Sequence, residues 1–381
     1  MLKVMDIWTE ILDNHSAVDT IYLDFAKAFD TVPHQRLLLK LKGYGITGKL
    51  LDWFEEFLTN RRQRVNIEGV FSEWSHVLSG VPQGSVLGPA LFLCYINDLP
   101  EAIASFIFLY ADDTKLFRRI DSSVDKDALQ KDLDQLVSWA QTWQLKFNTE
   151  KCKVMHLGEG RSNRESYSMI NTEGQRIILQ ETVLEKDLGI WVVPTMKPAC
   201  HIAHAVMKAN RLLGLIRRSF TYMDIELMRR LFTTIVRPHL EYANIIWHPY
   251  LKKDIELIEG VQHRATKMVP GLSKFTYQER LRRMDLPTLV YRRARGDAID
   301  AYKYLHGIYT VDSSQLLYKY TSEGLITRGN GLKLQKKHTC TQIRSNFFTS
   351  RIVNLWNSLP EQVVHAPSVN SFKGRFDRVC M

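Results

Sequence analysis

The hydrophobic pattern of the chain changes character near Pro198. Before that point, short β-prone apolar runs alternate with amphipathic stretches, one of which predicts a helix that begins at Ser122 or Ser123. Its apolar stripe is Leu129, Leu133, Leu136, Ala140 and Trp143. After Pro198, longer amphipathic stretches follow at 200–218, 223–246, 252–268 and 287–307. The pattern therefore predicts a mixed α and β segment followed by a mainly helical one.

The last part of the chain has a different composition. Residues 308–345 mix Gly, Ser, Thr and Lys with few apolar clusters, which predicts a mobile linker. Residues 346–381 regain apolar side chains, which is typical of a short helical cap that docks on a larger body. No internal repeat and no low-complexity tract interrupts the pattern.

Two of the β-prone runs are followed by aspartate residues. Asp112 and Asp113 follow the apolar run Phe106–Leu109, and Asp24 follows Thr20–Leu23. Neighbouring carboxylates raise one another's pKa unless a cation compensates, and magnesium is the usual hard cation for oxygen ligands. Two such strand ends can hold a pair of ions about 3.5–4 Å apart, which favours phosphoryl or nucleotidyl transfer. Ordinary turn chemistry is the alternative for each segment alone.

A loop rich in glycine and proline lies between these two acidic segments. Residues 79–89 contain three glycines and two prolines, so the backbone can approach a ligand closely and present free amides beside Gln83. Three unusual segments in this order are harder to attribute to chance than any one of them.

These segments resemble motifs A, B and C of reverse transcriptases, in the form used by non-long-terminal-repeat (LINE-type) retrotransposons. They are Leu23-Asp24-Phe25-Ala26-Lys27-Ala28-Phe29-Asp30, Gly80-Val81-Pro82-Gln83-Gly84-Ser85-Val86-Leu87-Gly88-Pro89 and Tyr110-Ala111-Asp112-Asp113. Segments further along, at 231–242 and 354–360, also look like parts of such elements, so the resemblance covers nearly the whole chain.

The resemblance implies an α+β fold with a polymerase palm, an antiparallel sheet packed on helices, followed by a mainly helical thumb and a C-terminal extension. The implied domains are a palm at 1–195 with the fingers largely absent, a basic thumb at 196–307, the linker at 308–345 and the cap at 346–381. Asp24, Asp112 and Asp113 would be the catalytic acids that hold two Mg²⁺ ions, with Mn²⁺ as an alternative. Asp24 and Asp112 are the favoured ligands of both ions.

The resemblance also implies a nucleotide pocket. Phe29 would be the gate against the sugar, where a bulky ring excludes a 2′-hydroxyl, and the alternative is an ordinary core aromatic. Gln83 and Gly84 would lie beside the incoming nucleotide, in a loop before a helix that begins near Val86. Phe25 and Tyr110 complete the implied pocket. Asp30 would be a turn or capping acid and not a metal ligand.

Two further motifs are implied downstream. Asn148-Thr149-Glu150-Lys151-Cys152 resembles motif D, in which a lysine donates a proton to the leaving pyrophosphate. Lys151 would take that role, and a solvated charge is the alternative. Leu188 and Gly189 would form the turn of the hairpin that grips the primer end.

The charge of the chain points to a polyanionic partner. The net charge is +10, and residues 201–300 contain 18 Lys and Arg against 10 Asp and Glu. Basic residues of this segment are predicted to neutralise phosphates, although a solvated helix face is the alternative. The predicted contacts are Arg217, Arg218, Arg292, Arg293 and Arg295. The implied partners are an RNA template, a DNA primer and dNTPs, while protein partners stay unknown.

Cysteine usage and hydropathy bear on the compartment. The five cysteines are scattered and have no Cys-x-x-Cys spacing, which indicates neither a zinc site nor a disulfide framework. A reducing compartment, nucleus or cytoplasm, is expected. No apolar run approaches the roughly 20 residues of a membrane span, and the N-terminus lacks a signal-peptide pattern.

The predicted function is an RNA-directed DNA polymerase that transfers nucleotides to a primer 3′-hydroxyl. Only 23 residues precede Asp24, so the fingers and the endonuclease of such elements are expected to be absent, and polymerisation is expected to be weak. The alternative of another class is a non-catalytic nucleic-acid-binding remnant or host-recruited protein. A group II intron maturase and a reading frame never made as a stable protein are further alternatives.

Overall fold

The computed structural model describes residues 1–158, 166–310, 316–320 and 330–380, which form two compact units. One unit is Ser16–Val183. The other combines Leu184–Met381 with Met1–His15, which contains helix α1 (Leu2–Asp13). The sequence-based boundaries differ, because they assign residues 1–195 to a single domain.

The unit Ser16–Val183 is built around a five-stranded sheet in the order β11-β8-β1-β7-β6. Strand β1 runs antiparallel to both β7 and β8, and its central position explains why nearly every residue of β1 is buried. The strands of this unit are β1 (Ala17–Leu23), β2 (Arg62–Gln63), β3 (Asn66–Ile67), β4 (Val70–Phe71), β5 (Ser75–His76), β6 (Phe106–Tyr110), β7 (Asp113–Ile120), β8 (Lys153–Leu157), β9 (Ser168–Ile170), β10 (Arg176–Ile178) and β11 (Gln180–Glu181).

Helices complete the core of this unit. They are α2 (Ala28–Thr31), α3 (His34–Gly43), α4 (Lys49–Leu58), α5 (Leu87–Ile96) and α6 (Ser123–Thr142), with a 3₁₀ turn at Leu99–Ala102. Helix α6 begins at the predicted place because Ser122 and Asp125 form a capping box. Its predicted stripe is buried from Leu129 to Ala140. The α+β class is confirmed.

The second unit is mainly helical. Its elements after α1 are β12 (Glu185–Asp187), β13 (Ile190–Val192), α7 (Ala199–Ser219), α8 (Ile225–Leu231), α9 (Arg237–Glu241), α10 (Lys252–Lys267), α11 (Tyr277–Arg283), α12 (Leu289–Leu305), α13 (Gln342–Ser345), α14 (Phe348–Ser358), α15 (Glu361–Val364) and α16 (Val369–Cys380). A π-helical stretch, Phe232–Val236, joins α8 to α9. The predicted helical stretches after Pro198 are confirmed. No helix among the described residues is long and apolar enough to cross a bilayer.

Buried polar bonds fasten α1 to the C-terminal part of this unit. The Arg344 guanidinium donates from Nη1 to Asp6 Oδ1 at 2.6 Å. The Asp13 carboxylate accepts from the backbone N–H groups of Cys340 at 2.9 Å and Thr341 at 2.7 Å. These bonds explain why residues 1–15 group with the helical unit, although they directly precede β1.

The described part of 308–345 does not behave as a free linker. Leu317 and Leu334 are buried in the same core as Phe348, and the buried Asn330 side chain donates to the carbonyls of Trp356 and Leu359. The expectation of a mobile linker is therefore wrong for these residues, because a few scattered leucines suffice to dock them. Residues 311–315 and 321–329 lie outside the described residues.

Candidate active site

The sheet register brings the three predicted catalytic acids to one edge. Leu23, the last residue of β1, pairs with Thr114 of β7, so Asp24 follows β1 where β7 begins at Asp113. In the β6–β7 hairpin, Tyr110 pairs with Asp113, which leaves Ala111 and Asp112 as the turn. Ala111 has a φ of 53°, in the left-handed region that such tight turns use. Asp24 and Asp112 are half-buried and Asp113 is exposed.

The segment that resembles motif D surrounds Asp24. The Asp24 carbonyl accepts from the Asn148 N–H at 2.8 Å, and its own N–H points at Cys152 Sγ at 3.5 Å. Lys151 Nζ lies 3.5 Å from Asp24 Oδ2. Burial raises the pKa of Cys152 to about 11, so the thiol beneath Asp24 is neutral at physiological pH. The structure thus brings Lys151 to the first of the three acids.

Carboxylates are the donor type that hard divalent cations prefer, and this edge carries three of them. They do not form a closed set of ligands: within the described ranges, no group of three His, Cys, Asp or Glu side chains is placed to hold a metal ion. The Lys151 ammonium is a charged neighbour of Asp24, at 3.5 Å from Oδ2. The residues fit a metal by chemistry and by strand register.

The loop that resembles motif B is fastened to the segment after Asp24. Ser79 Oγ donates to the Asp30 carbonyl at 2.8 Å, and the Val81 N–H donates to the Phe29 carbonyl at 2.8 Å. Gln83 Nε2 donates to Asp30 Oδ1 at 2.7 Å. Asp30, expected to be only a turn acid, therefore orients the predicted nucleotide-contacting amide.

Two residues that the sequence did not single out hold the start of the same loop. His34 Nε2 lies 2.9 Å from the Gly80 carbonyl, and Arg61 Nη2 donates to that oxygen at 2.8 Å. His34 begins α3 and Arg61 precedes β2, so neither lies within a recognisable motif. No local sequence signal could have found them, because the contacts are long-range.

Gly80 and Gly84 serve different purposes in this loop. A Cβ on Gly80, at φ 91°, would lie 2.7 Å from the Asp30 carbonyl oxygen. Gly84 also has a positive φ, of 80°, but a Cβ there would meet nothing within 4 Å. The absent side chain at Gly80 thus permits loop packing, whereas Gly84 leaves open space beside Gln83.

We expect Gly80→Ala to lower the free energy of unfolding by about 2 kcal/mol, because alanine is strained at positive φ and its Cβ would displace the Asp30 backbone. Urea unfolding measures this change. Gly43→Ala, at a position with ordinary φ and open space, is the matched control. Equal stability of the two variants would contradict the packing described for Gly80.

The aromatic residues of the predicted nucleotide pocket have different environments. Phe29 is half-buried and its ring stacks on Phe92 with centroids 4.6 Å apart, which leaves one part exposed. Tyr110 is exposed. Phe25 is only 3% exposed and stacks on Phe147 with centroids 4.5 Å apart. The Phe25 ring therefore belongs to the core, and a place for Phe25 in the nucleotide pocket stays a prediction that only its backbone could fulfil.

The hairpin β12–β13 lies in the helical unit. Its turn residues Leu188 and Gly189 both have positive φ, 45° and 83°, as two-residue hairpin turns favour. The Tyr242 hydroxyl donates to the Leu188 carbonyl at 2.8 Å, and the Tyr242 ring packs over Gly189. The turn has the predicted tight geometry, and its contact with a primer stays a prediction.

His201 links this hairpin to α7 and makes stability depend on pH. It is 5% exposed, and its Nδ1 accepts from the Trp191 N–H at 3.2 Å. Burial, with a smaller effect of His204, lowers the pKa of His201 to about 4. A histidine with a lowered folded pKa contributes stability that is complete above the unfolded pKa, about 6.5, and is lost as pH falls towards 4.

We expect the free energy of unfolding to fall by roughly 2–3 kcal/mol between pH 7 and pH 4 on account of His201. Urea unfolding across this range measures the loss, and His201→Gln should reduce the slope. His15→Gln, at an exposed position, is the control. An unchanged slope in His201→Gln would show that this imidazole does not titrate as described.

The predicted nucleic-acid contacts divide into two groups. Arg217 and Arg218 are exposed at the end of α7. Arg292 is bound by both carboxylate oxygens of Glu241. Arg295 donates to Asp377 through two bonds of 2.6 and 2.8 Å, and Arg293 is 2% exposed. Arg293 is buried, and internal carboxylates bind Arg292 and Arg295, so these three side chains are less available to phosphates than Arg217 and Arg218. Their contacts with nucleic acid stay predictions.

A comparison with known proteins identifies the family of this chain. The profile of the family described as reverse transcriptase (RNA-dependent DNA polymerase) matches residues 7–214, more than half of the chain. The chain belongs to the reverse transcriptase family. The match includes the sheet, the acidic edge and the loop at Gly80, and reverse transcriptases generally use divalent metal ions.

Similar reverse transcriptases come from mobile elements of insects. The RNA-directed DNA polymerase from mobile element jockey of Drosophila funebris is 33% identical over 285 residues, 71% of this chain and 30% of that protein. The probable RNA-directed DNA polymerase from transposon X-element of Drosophila melanogaster is 24% identical over 288 residues, again 71% and 30%. The likeness to these relatives shows that the chain is a reverse transcriptase of the LINE type. The chain spans about 30% of the length of these relatives.

A solved structure of telomerase from Candida tropicalis is also similar. It has a TM-score of 0.34 and 15% identity, and it covers 74% of this chain and 52% of that chain. This likeness is too low to support an argument about the site.

Proposed function

We propose that the chain acts as an RNA-directed DNA polymerase that adds deoxynucleotides to a DNA primer on an RNA template. The observation that carries this proposal is the strand register, which aligns Asp24 with the start of β7 at Asp113 beside the Asp112 turn. Family membership, shown by the match over 7–214, supports the same reaction class.

Each residue of the edge has a proposed role. Asp24, Asp112 and Asp113 would hold two Mg²⁺ ions, with Mn²⁺ as an alternative, and bound ions activate the attacking hydroxyl and stabilise the leaving oxygen. Lys151, 3.5 Å from Asp24, donates a proton to the leaving pyrophosphate. Pairing with Asp24 and proton donation to the pyrophosphate are compatible because the Lys151 side chain is mostly exposed.

The loop at Gly80 would position the nucleotide. Asp30 holds the Gln83 amide through one oxygen, so Gln83 presents its remaining polar atoms to the nucleotide beside the open side of Gly84. Phe29, supported from behind by Phe92, excludes a ribose 2′-hydroxyl and thereby selects dNTPs. Leu188 and Gly189 contact the primer end, with their turn held by Tyr242.

A non-catalytic nucleic-acid-binding protein is the second candidate. The observations that favour it are the net charge of +10 and the exposed Arg217 and Arg218 at the end of α7, which suit nucleic-acid binding with or without catalysis. Both candidates fit a nuclear or cytoplasmic protein, since all five cysteines are free thiols.

Primer extension by the purified chain distinguishes the two candidates. An RNA template annealed to a labelled DNA primer is incubated with dNTPs, with and without Mg²⁺, and with rNTPs as a test of the Phe29 gate. We expect extension that needs both the metal and dNTPs. Binding of the template and primer without any extension would favour the non-catalytic candidate.

A further inference from the structure

A basic groove lies in the helical unit between the end of α7 and the end of α10. Its volume is about 700 Å³, and its lining includes Arg217, Arg264 and Lys267 but no Asp or Glu. None of the acids and hairpins of the candidate active site lines it. The groove is therefore a separate concave surface with an excess of positive charge.

The three cations of this groove are not neutralised by carboxylates. Arg217, Arg264 and Lys267 are exposed and take part in none of the ion pairs between described residues. Arg264 is instead oriented by a neutral group, Asn210 Oδ1, which accepts from its Nε at 3.2 Å and its Nη2 at 2.8 Å. This arrangement orients the Arg264 guanidinium and leaves its charge available. Arg292 and Arg295, in contrast, are neutralised by carboxylates.

A neighbouring histidine senses the same positive potential. The pKa of His263 is lowered from its usual value by burial first, and then by Arg280, Lys267 and Arg264. Two of the three groove cations, Arg264 and Lys267, therefore contribute to the positive potential at His263, and a bound anion would reduce the repulsion among them.

The groove also offers an apolar surface. Phe220, which is exposed, lines it together with Met268 and Leu213. The outside of a duplex presents phosphates and sugars, with its bases stacked inside, and would leave this apolar lining without a partner. A single strand has unstacked bases that can lie against an aromatic ring while its phosphates meet the cations.

We propose that the α7–α10 groove binds single-stranded nucleic acid, with phosphates at Arg217, Arg264 and Lys267 and a base on Phe220. This proposal rests on the proposed function only in that both have nucleic acid as the partner. It does not depend on the polymerase reaction. It would hold a strand during polymerisation, and it would equally serve the non-catalytic candidate.

Fluorescence anisotropy with a labelled oligo(dT) of about 12 nucleotides tests the groove. The triple variant Arg217→Gln, Arg264→Gln, Lys267→Gln is expected to bind at least about tenfold more weakly. The slope of log K against log salt should fall by about 2, since each neutralised single-strand phosphate contributes about 0.7. The matched control, Lys252→Gln, Lys253→Gln, Lys274→Gln, removes the same charge from exposed positions outside the groove.

A second variant separates base stacking from charge. Phe220→Ala keeps every cation and is expected to weaken oligo(dT) binding by about fivefold or more while duplex binding stays unchanged. Equal losses for the groove triple and the control triple would overturn the site, as would wild-type affinity in the groove triple. Equal weakening of duplex by Phe220→Ala would overturn the single-strand assignment, and poly-glutamate bound as tightly as oligo(dT) would indicate an acidic protein partner instead.

The proposal can fail independently of the polymerase assignment. Asp112→Asn should leave oligo(dT) binding in the groove unchanged, because Asp112 does not line it. If oligo(dT) binds in the groove but the chain does not extend primers, only the proposed polymerase function is contradicted. If the wild type extends primers but the groove triple variant binds oligo(dT) as tightly as the wild type, only the proposal for the groove is contradicted.

Discussion

Asp112→Asn is expected to reduce primer extension by at least about 100-fold while the fold and nucleic-acid binding are retained. The asparagine keeps the size of the side chain in the β6–β7 turn but removes the charge that would hold the divalent ion. Stabilisation of the reacting oxygens by such an ion amounts to several kcal/mol, and each 1.36 kcal/mol is a factor of about ten in rate.

The control is Asp127→Asn, which removes one exposed carboxylate from α6 in the same unit. Its extension rate should match that of the wild type. Similar rates for Asp112→Asn and the wild type would exclude Asp112 from the chemistry, and similar losses in both variants would indicate an effect of net charge.

Arg344→Leu is expected to lower the free energy of unfolding by about 3–5 kcal/mol, because it leaves the Asp6 carboxylate buried without its cation. The two side chains are 7% and 9% exposed and 2.6 Å apart. Arg344 also donates to Thr9 Oγ1 at 3.0 Å, so several bonds from α1 are lost together. Urea unfolding measures the change.

An exposed pair provides the comparison. Arg230 and Glu226 are 2.5 Å apart, but their side chains are 73% and 64% exposed, so Arg230→Leu should cost less than about 1 kcal/mol. If Arg344→Leu were as mild as Arg230→Leu, helix α1 would not be held to the C-terminal part as described.

Local patterns of the sequence predicted those features that local interactions determine. The Ser122 capping box begins α6, the Leu188–Gly189 turn closes its hairpin and the four helical stretches after Pro198 appear where the apolar spacing places them. The acids at the ends of β-prone runs meet at one sheet edge because β1 and β7 pair directly.

Features that depend on distant partners were not predictable in this way. Arg292 and Arg295 look like phosphate contacts in the sequence, but Glu241 and Asp377, far along the chain, bind them. The membership of α1 in the helical unit depends on Arg344, more than 300 residues away. Single-sequence periodicity carries no information about such pairs.

The candidate site shows the same division. Motif resemblance identified Gln83, but the bond that orients it comes from Asp30. The contacts of His34 and Arg61 with Gly80 follow from packing between α3, the Arg61 turn and the loop, which no motif encodes.

The most direct test of the acidic edge is affinity cleavage with Fe²⁺ in place of Mg²⁺. In the presence of ascorbate and peroxide, a bound iron ion generates hydroxyl radicals that cut the nearby backbone, and mass spectrometry locates the cuts. We predict cuts around Asp24 and around Asp112 and Asp113 that excess Mg²⁺ suppresses and that Asp24→Asn, Asp112→Asn abolishes. Cuts confined to only one of these two segments, or unchanged in the double variant, would contradict a shared metal site at this edge.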